Sequence, residues 1–201
     1  MAVTVEKDVR NATEINHIAL SMGHAVVNLM AINCVDLAQE KILFIGAGQM
    51  MNQIAPHFKN MPVAKKSVIN RTIERGRLLA ERINADSLDL ARIASVVNDY
   101  SVIIVCSGNS ELILDAEILQ PTIMNPGKQL LSIDLSMPLL TQLTLRKYSN
   151  ITIVTVDDIA KIVDVGIEKR KTAAADASDL IDHKLIEYQS WLKKRGLTPV
   201  I

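Results

Sequence analysis

Lys41-Ile42-Leu43-Phe44-Ile45-Gly46-Ala47-Gly48-Gln49-Met50-Met51 is the stretch whose reading decides the fold. A short apolar run stopped by glycine reads as a buried strand. Gln49 to Phe58 then reads as a helix that Pro56 kinks or ends early. A first glycine after a strand allows a tight turn. A second, where the helix opens, lets the backbone approach a phosphate-bearing ligand. The last position of the six-residue glycine fingerprint holds Met51 rather than Gly or Ala, so the helix sits farther out or the loop binds more weakly.

Outward from this stretch the alternation repeats. Ser67-Val68-Ile69 reads as a strand and Ile73 to Arg82 as a helix. Ala85 to Leu88 reads as a short strand, with a helix over 89–97. Ser101 to Cys106 is the clearest central strand and ends at Ser107-Gly108; Leu130 to Asp134 and Ile151 to Val154 come after it. The stretch 120–128, with Pro121, Pro126 and Gly127, reads as loop. Strands alternating with helices at this spacing predict an α/β fold, a Rossmann-type doubly wound parallel sheet. Hydrophobic residues make up 49% of the 201-residue chain but aromatics only 3%, so the core is aliphatic, as a helix-covered parallel sheet requires.

Residues 13–38 read as one long helix, with Ile15, Ile18, Ala19, Val26, Val27 and Met30 on its stripe and Thr13 or Asn11 as cap. The tail, 157–195, has no proline and one glycine, Gly166. Ala177, Ile181, Leu185, Tyr188 and Leu192 step by three or four along it, with Trp191 alongside. This predicts a long C-terminal amphipathic helix, roughly 60 Å if unbroken. Its stripe exceeds what one small domain covers, so it is expected to meet a second copy of the chain, as a dimer, or a separate catalytic domain. The division expected is a helical segment at 1–40 packing on the domain, a nucleotide-binding domain at 41–156, and the helix at 157–201.

Twenty-two basic and 22 acidic residues cancel, which removes the electrostatic case for direct nucleic-acid binding. No apolar run approaches the roughly 18 residues of a membrane span, and a cytoplasmic protein is expected. Cys34 and Cys106 have neither metal-type spacing nor a disulfide framework and read as inert apolar thiols. His17, His24, His57 and His183 form no pattern with a nucleophile. No catalytic residue and no metal ligand is assigned.

The end of the second strand usually selects the cofactor. NAD-binding domains tend to place Asp or Glu there for the ribose 2′-hydroxyl. This chain has Asn70-Arg71-Thr72 instead. A guanidinium suits a 2′-phosphate, and Asn70, Thr72 and the nearby Lys65 or Lys66 add donors. NADP(H) is therefore the expected cofactor, held by Gly46, Ala47, Gly48, Gln49, Met50, Met51, Asn70, Arg71 and Thr72, with Ser107 and Gly108 near its ribose or nicotinamide. Asp134 either faces the cleft or caps a local turn.

These residues match a family. In order and spacing, the chain resembles the NADP-binding region of glutamyl-tRNA reductase, the enzyme that opens five-carbon tetrapyrrole synthesis. Lys7, Val9, Arg10, Thr13 and Ile15 resemble the family's opening segment, and Ile45-Gly46-Ala47-Gly48-Gln49-Met50 its I-G-A-G-E-M loop. Asn70-Arg71-Thr72 equals its N-R-T; Asp134 with Pro138 resembles its strand end, and Asp157-Asp158-Ile159 with Arg170 its D-D-L and following arginine. The final helix resembles the start of its spinal helix. The resemblance implies an oxidoreductase in which a cysteine thiolate takes the glutamyl group from tRNA as a thioester and hydride from NADPH reduces it to glutamate-1-semialdehyde. Pro138-Leu139-Leu140 stands where the family has Pro-Arg-Asp, and the family's T-C-N-R cysteine motif does not occur in these 201 residues. A hydride-donor domain inactive alone is the first expectation. A non-catalytic NADP-binding regulatory or interaction module is the alternative. A stand-alone dehydrogenase is disfavoured because no acid/base pair stands out.

Overall fold

The computed structural model describes residues 21–108 and 112–194, without the side chains of 166–177, 179–180, 187 and 192–194. Six strands form one parallel sheet: β1 (Lys41–Ile45), β2 (Lys65–Asn70), β3 (Asp86–Asp89), β4 (Val102–Val105), β5 (Leu130–Asp134) and β6 (Ile151–Thr155). Their order is β3-β2-β1-β4-β5-β6. The chain winds outward from β1 to β3, returns to β1's other side as β4, and winds outward again. That reversal leaves a crevice at the carboxyl ends of β1 and β4, where open α/β sheets take their ligands.

The central strands are buried because helices cover both faces. β4 and β5 are buried throughout, and in β1 only Lys41 is exposed. One core cluster joins Leu43, Ile45, Ile69, Ile103 and Val105 to Leu114, Leu140 and Leu145. The edge strand β3 carries Asp86 and Asp89, and charge on an edge discourages pairing with another chain. The chain packs in two units, Ser21–Lys161 and the remainder. The sheet and every residue of the crevice belong to the first.

The expected helix at 13–38 is shorter. Helix α1 runs Met22–Asn33, and Cys34 is already extended. Asp36 then caps a 3-10 turn, Leu37–Gln39, by accepting from Ala38 N. A short acceptor next to the backbone competes with helix continuation, and here it wins. Val26 and Met30 are buried as the stripe requires, whereas Ile15, Ile18, Ala19 and the cap lie outside the described residues.

Helix α2 (Gln49–Ile54) gives way to a 3-10 turn at Ala55–Phe58, with Pro56 in its first turn, so the early end is what occurs. Phe58 packs edge-on against Phe44. Helix α3 spans Ile73–Ile83. Over 89–97 the expected helix is a mixture of a 3-10 turn from Asp89's cap and helix α4 (Ile93–Val96). The stretch 120–128 is not all loop: Gln120–Ile123 forms one turn, α5. Pro121 is tolerated there because the first N–H groups of a helix have no internal partner. Thr122 donates from both N and Oγ1 to Asn98 Oδ1, and Asn150 Nδ2 reaches the carbonyls of Thr122, Asn125 and Lys128. These long-range contacts are what make the turn.

Helix α6 spans Val156–Lys194. It opens with a capping box: Asp158 accepts from Thr155 N and its own N–H donates to Thr155 Oγ1. The Thr155 hydrogen bonds, with Arg146 nearby, hold the Asp158 carboxyl below the usual carboxylate range. Among the described residues no helix is long and apolar enough to cross a membrane.

Candidate cofactor cleft

The cleft of about 240 Å³ lies over the reversal point of the sheet. Three loops build it: Gly46-Ala47-Gly48 after β1, Arg71-Thr72 after β2, and Ser107-Gly108 after β4. Ile45, Ile69, Leu90 and Ile113 give it apolar walls.

Each glycine of the first loop has its own reason. Gly46 has φ 102, a left-handed value that favours glycine, and a Cβ there would run into the Cys106 carbonyl. Gly48 begins α2 with ordinary extended dihedrals. A Cβ on it would meet nothing within 4 Å, because that position looks into the open cleft. Gly46 shapes the loop; Gly48 keeps space clear in front of it.

Polar braces fix the loop. Ala47 N donates to Asn70 Oδ1 at 3.0 Å, and Asn70 Nδ2 donates to the Thr72 carbonyl at 2.7 Å. Asn70 therefore ties the first loop to the second. From the other side, Asn52 Nδ2 donates to the carbonyls of Ala47 and Gly48, and Arg82 holds Asn52 Oδ1 at 2.7 Å. Sequence reading missed Asn52 and Arg82, whose role is set by tertiary contact.

Of the residues expected at the site, Gly46, Ala47, Gly48, Asn70, Arg71, Thr72, Ser107 and Gly108 line one cleft. Gln49, Met50 and Met51 are not in its lining: Gln49 and Met50 are exposed, and Met51 is fully buried in the core. Arg75 was not expected and lines the cleft with Arg71. Arg71 precedes the Thr72 cap and Arg75 lies in the first turn of α3, so the fold of the β2 loop onto the helix start is what brings the two together. Among the described lining residues there is no carboxylate, so the cleft is electropositive at its β2 end.

Asp134 is a turn cap rather than a cleft residue. Fully buried, it accepts from Ser136 N through Oδ1 and from Leu140 N and Thr141 N through Oδ2. Burial and then the Glu40 charge push the Cys34 thiol up to about 11, so neutral pH leaves it protonated. Burial also raises Cys106, which lies just beyond β4. His24 and His57 do meet: their rings touch edge to face at 4.6 Å, with the His57 ring over Gly23. Burial and then His24 lower the His57 pKa. Neither lines the cleft. Among the described residues no group of three or more His, Cys, Asp or Glu could hold a metal ion.

Known proteins share this fold. The family model described as Shikimate / quinate 5-dehydrogenase matches residues 28–162. A glutamyl-tRNA reductase from Polaromonas naphthalenivorans (strain CJ2) is 30% identical over 198 residues, covering 98% of this chain and 46% of the relative. The chain thus spans about half the length of the curated relatives it matches. Among solved structures, glutamyl-tRNA reductase from Methanopyrus kandleri superposes with TM-score 0.83 at 22% identity, over 96% of this chain and 49% of that one. The nucleotide binding domain of glutamyl-tRNA reductase from Thermoplasma volcanium gives TM-score 0.60 at 25% identity, over 76% of this chain and 98% of that domain. The chain belongs to the Shikimate / quinate 5-dehydrogenase family and is a glutamyl-tRNA reductase-like NAD(P)-binding domain.

Proposed function

We propose that this chain binds NADP(H) in preference to NAD(H) and serves as the hydride-donor domain of a glutamyl-tRNA reductase-like oxidoreductase of tetrapyrrole biosynthesis. The observation that carries the cofactor choice is Arg71 and Arg75 at one end of a cleft whose described lining residues include no carboxylate. Two guanidiniums favour a dianionic 2′-phosphate, and no carboxylate there competes for a ribose 2′-hydroxyl. The open space at Gly48 fits a pyrophosphate against the loop backbone. NADPH supplies hydride when bound. The protein's part is to hold and orient it, through Arg71 and Arg75 at one end and the Ser107-Gly108 loop at the other.

The acyl acceptor would come from a separate catalytic domain, because both thiols here are held in the unreactive protonated form. The same thiol chemistry favours a second reading, a non-catalytic NADP-binding regulatory or interaction module. In either case residues 41–156 serve as the cofactor domain and α6 as a partner-seeking helix. A single set of assays tests the proposal. Titration should give tighter binding of NADPH than of NADH, and the chain incubated with glutamyl-tRNA and NADPH should form no semialdehyde. Equal affinities would remove the cofactor assignment, and semialdehyde formation would remove the need for a second domain.

The helix is the proposed contact with a second copy. Ile181, Leu185 and Tyr188 are exposed along it, and Tyr188 stacks with Trp191. Ala177 and Leu192 have side chains outside the described set. Sedimentation should give a dimer for the intact chain and a monomer for Ile181→Glu/Leu185→Glu. An intact chain that stays monomeric at tens of micromolar would refute it.

A further inference from the structure

We propose that Ser136 is a positioning residue for the nicotinamide half of the cofactor, acting through the backbone of Ser107. The inference rests on the NADP(H) reading of the cleft. It starts from Asp134, whose buried carboxylate accepts three backbone N–H groups, from Ser136 at 2.9 Å and from Leu140 and Thr141 at 2.7 Å each. The turn after β5 is thereby pinned at both ends to a single side chain. Leu135 N donates to the Val105 carbonyl at 2.8 Å, so the turn begins in register with the end of β4.

Ser136 sits inside this pinned turn at 2% exposure. Its Oγ accepts the Ser107 N–H at 3.2 Å. The loop after β4 is therefore held from both flanks. On the β1 side Cys106 N donates to the Ile45 carbonyl, and the Cys106 carbonyl closes on Gly46. On the β5 side Ser136 takes the next amide. A hydroxyl can accept at that point and a methyl cannot.

Topology says which part of the ligand meets this loop. Strand order places the β1 loop between the β2 loop and the β4 loop. With the 2′-phosphate on Arg71 and the pyrophosphate over Gly48, the rest of the dinucleotide extends toward Ser107 and Gly108. Ser136 thus bears on the nicotinamide half alone.

The test compares intact wild-type chain with Ser136→Ala by titration with NADPH and with 2′,5′-ADP, a probe carrying only the adenosine half. Amide exchange at Ser107 is measured without ligand. Loss of one hydrogen-bond anchor should weaken NADPH about fivefold. The 2′,5′-ADP affinity should stay the same, and Ser107 exchange should quicken. If Ala disturbs the fold by circular dichroism, Ser136→Cys, a near-isosteric weak acceptor, should give the same split. Equal weakening of both ligands, or no change in either, overturns the proposal. Wild-type chain that binds neither ligand refutes the cofactor reading beneath it, which is a separate result.

Discussion

Gly48→Val should leave the chain folded and weaken NADPH on the order of a hundredfold. The fold tolerates the change because Gly48 has φ −74, a value any residue adopts, and a Cβ there meets no protein atom within 4 Å. A Val cap is poorer than Gly at the start of a helix, but only by about 1 kcal/mol. Binding is where the change acts. The valine side chain fills the space a pyrophosphate needs against the loop. Overpacking costs about 1–3 kcal/mol, and each ~1.4 kcal/mol is tenfold in affinity. Gly46→Ala is the informative contrast. There φ is 102 and the new Cβ meets the Cys106 carbonyl, so the loss appears in thermal stability, whether or not ligand is present. Calorimetry on both variants separates the two glycines. A folded Gly48→Val chain that binds NADPH normally would make this loop only a turn.

That contrast also marks how far the sequence was legible. Apolar runs and the turn residues between them located the central strands β1, β2, β4 and β5, because burial on both faces leaves few other ways to use such runs, whereas the polar, exposed edge strand β3 followed only from the alternation. Helix ends were harder. α1 stops at Asn33 because Asp36 caps a new turn, and α5 forms because Asn98 and Asn150 hold it from distant parts of the chain. Neither contact is written in local periodicity. The site divides in the same way. Gly46, Gly48, Arg71 and Ser107 were readable because each stands just past the carboxyl end of a strand, where a parallel sheet opens its crevice. Asn52, Arg82 and Ser136 were not, since each acts by bridging to another element. Met51 was readable as a departure from the fingerprint. Its consequence, a side chain fully in the core, required the packing.

Arg71→Asp should invert the cofactor preference. Arg71 lies just past β2 and immediately precedes the Thr72 cap of α3. A cation at a helix N-terminus opposes the dipole by a few tenths to about 1 kcal/mol. Glu74 in the first turn offsets part of this, and a bound 2′-phosphate would offset more. Hydrogen bonds to charged groups are worth about 1.5–3 kcal/mol, so losing the guanidinium should weaken NADPH roughly tenfold to a hundredfold. The introduced carboxylate repels the 2′-phosphate and can accept from a ribose 2′-hydroxyl, so NADH should hold its affinity or gain. Arg75→Ala should weaken NADPH less, as Arg75 stands one turn further along α3. Both arginines are exposed, and salt screens exposed charges over about 10 Å at 0.1 M. The wild-type preference for NADPH should therefore shrink as ionic strength rises, and that of Arg71→Asp for NADH should shrink less. Titrations with both cofactors at two salt concentrations check this. If Arg71→Asp weakens NADPH and NADH equally, Arg71 supports the fold of the β2 loop and does not read the 2′-phosphate.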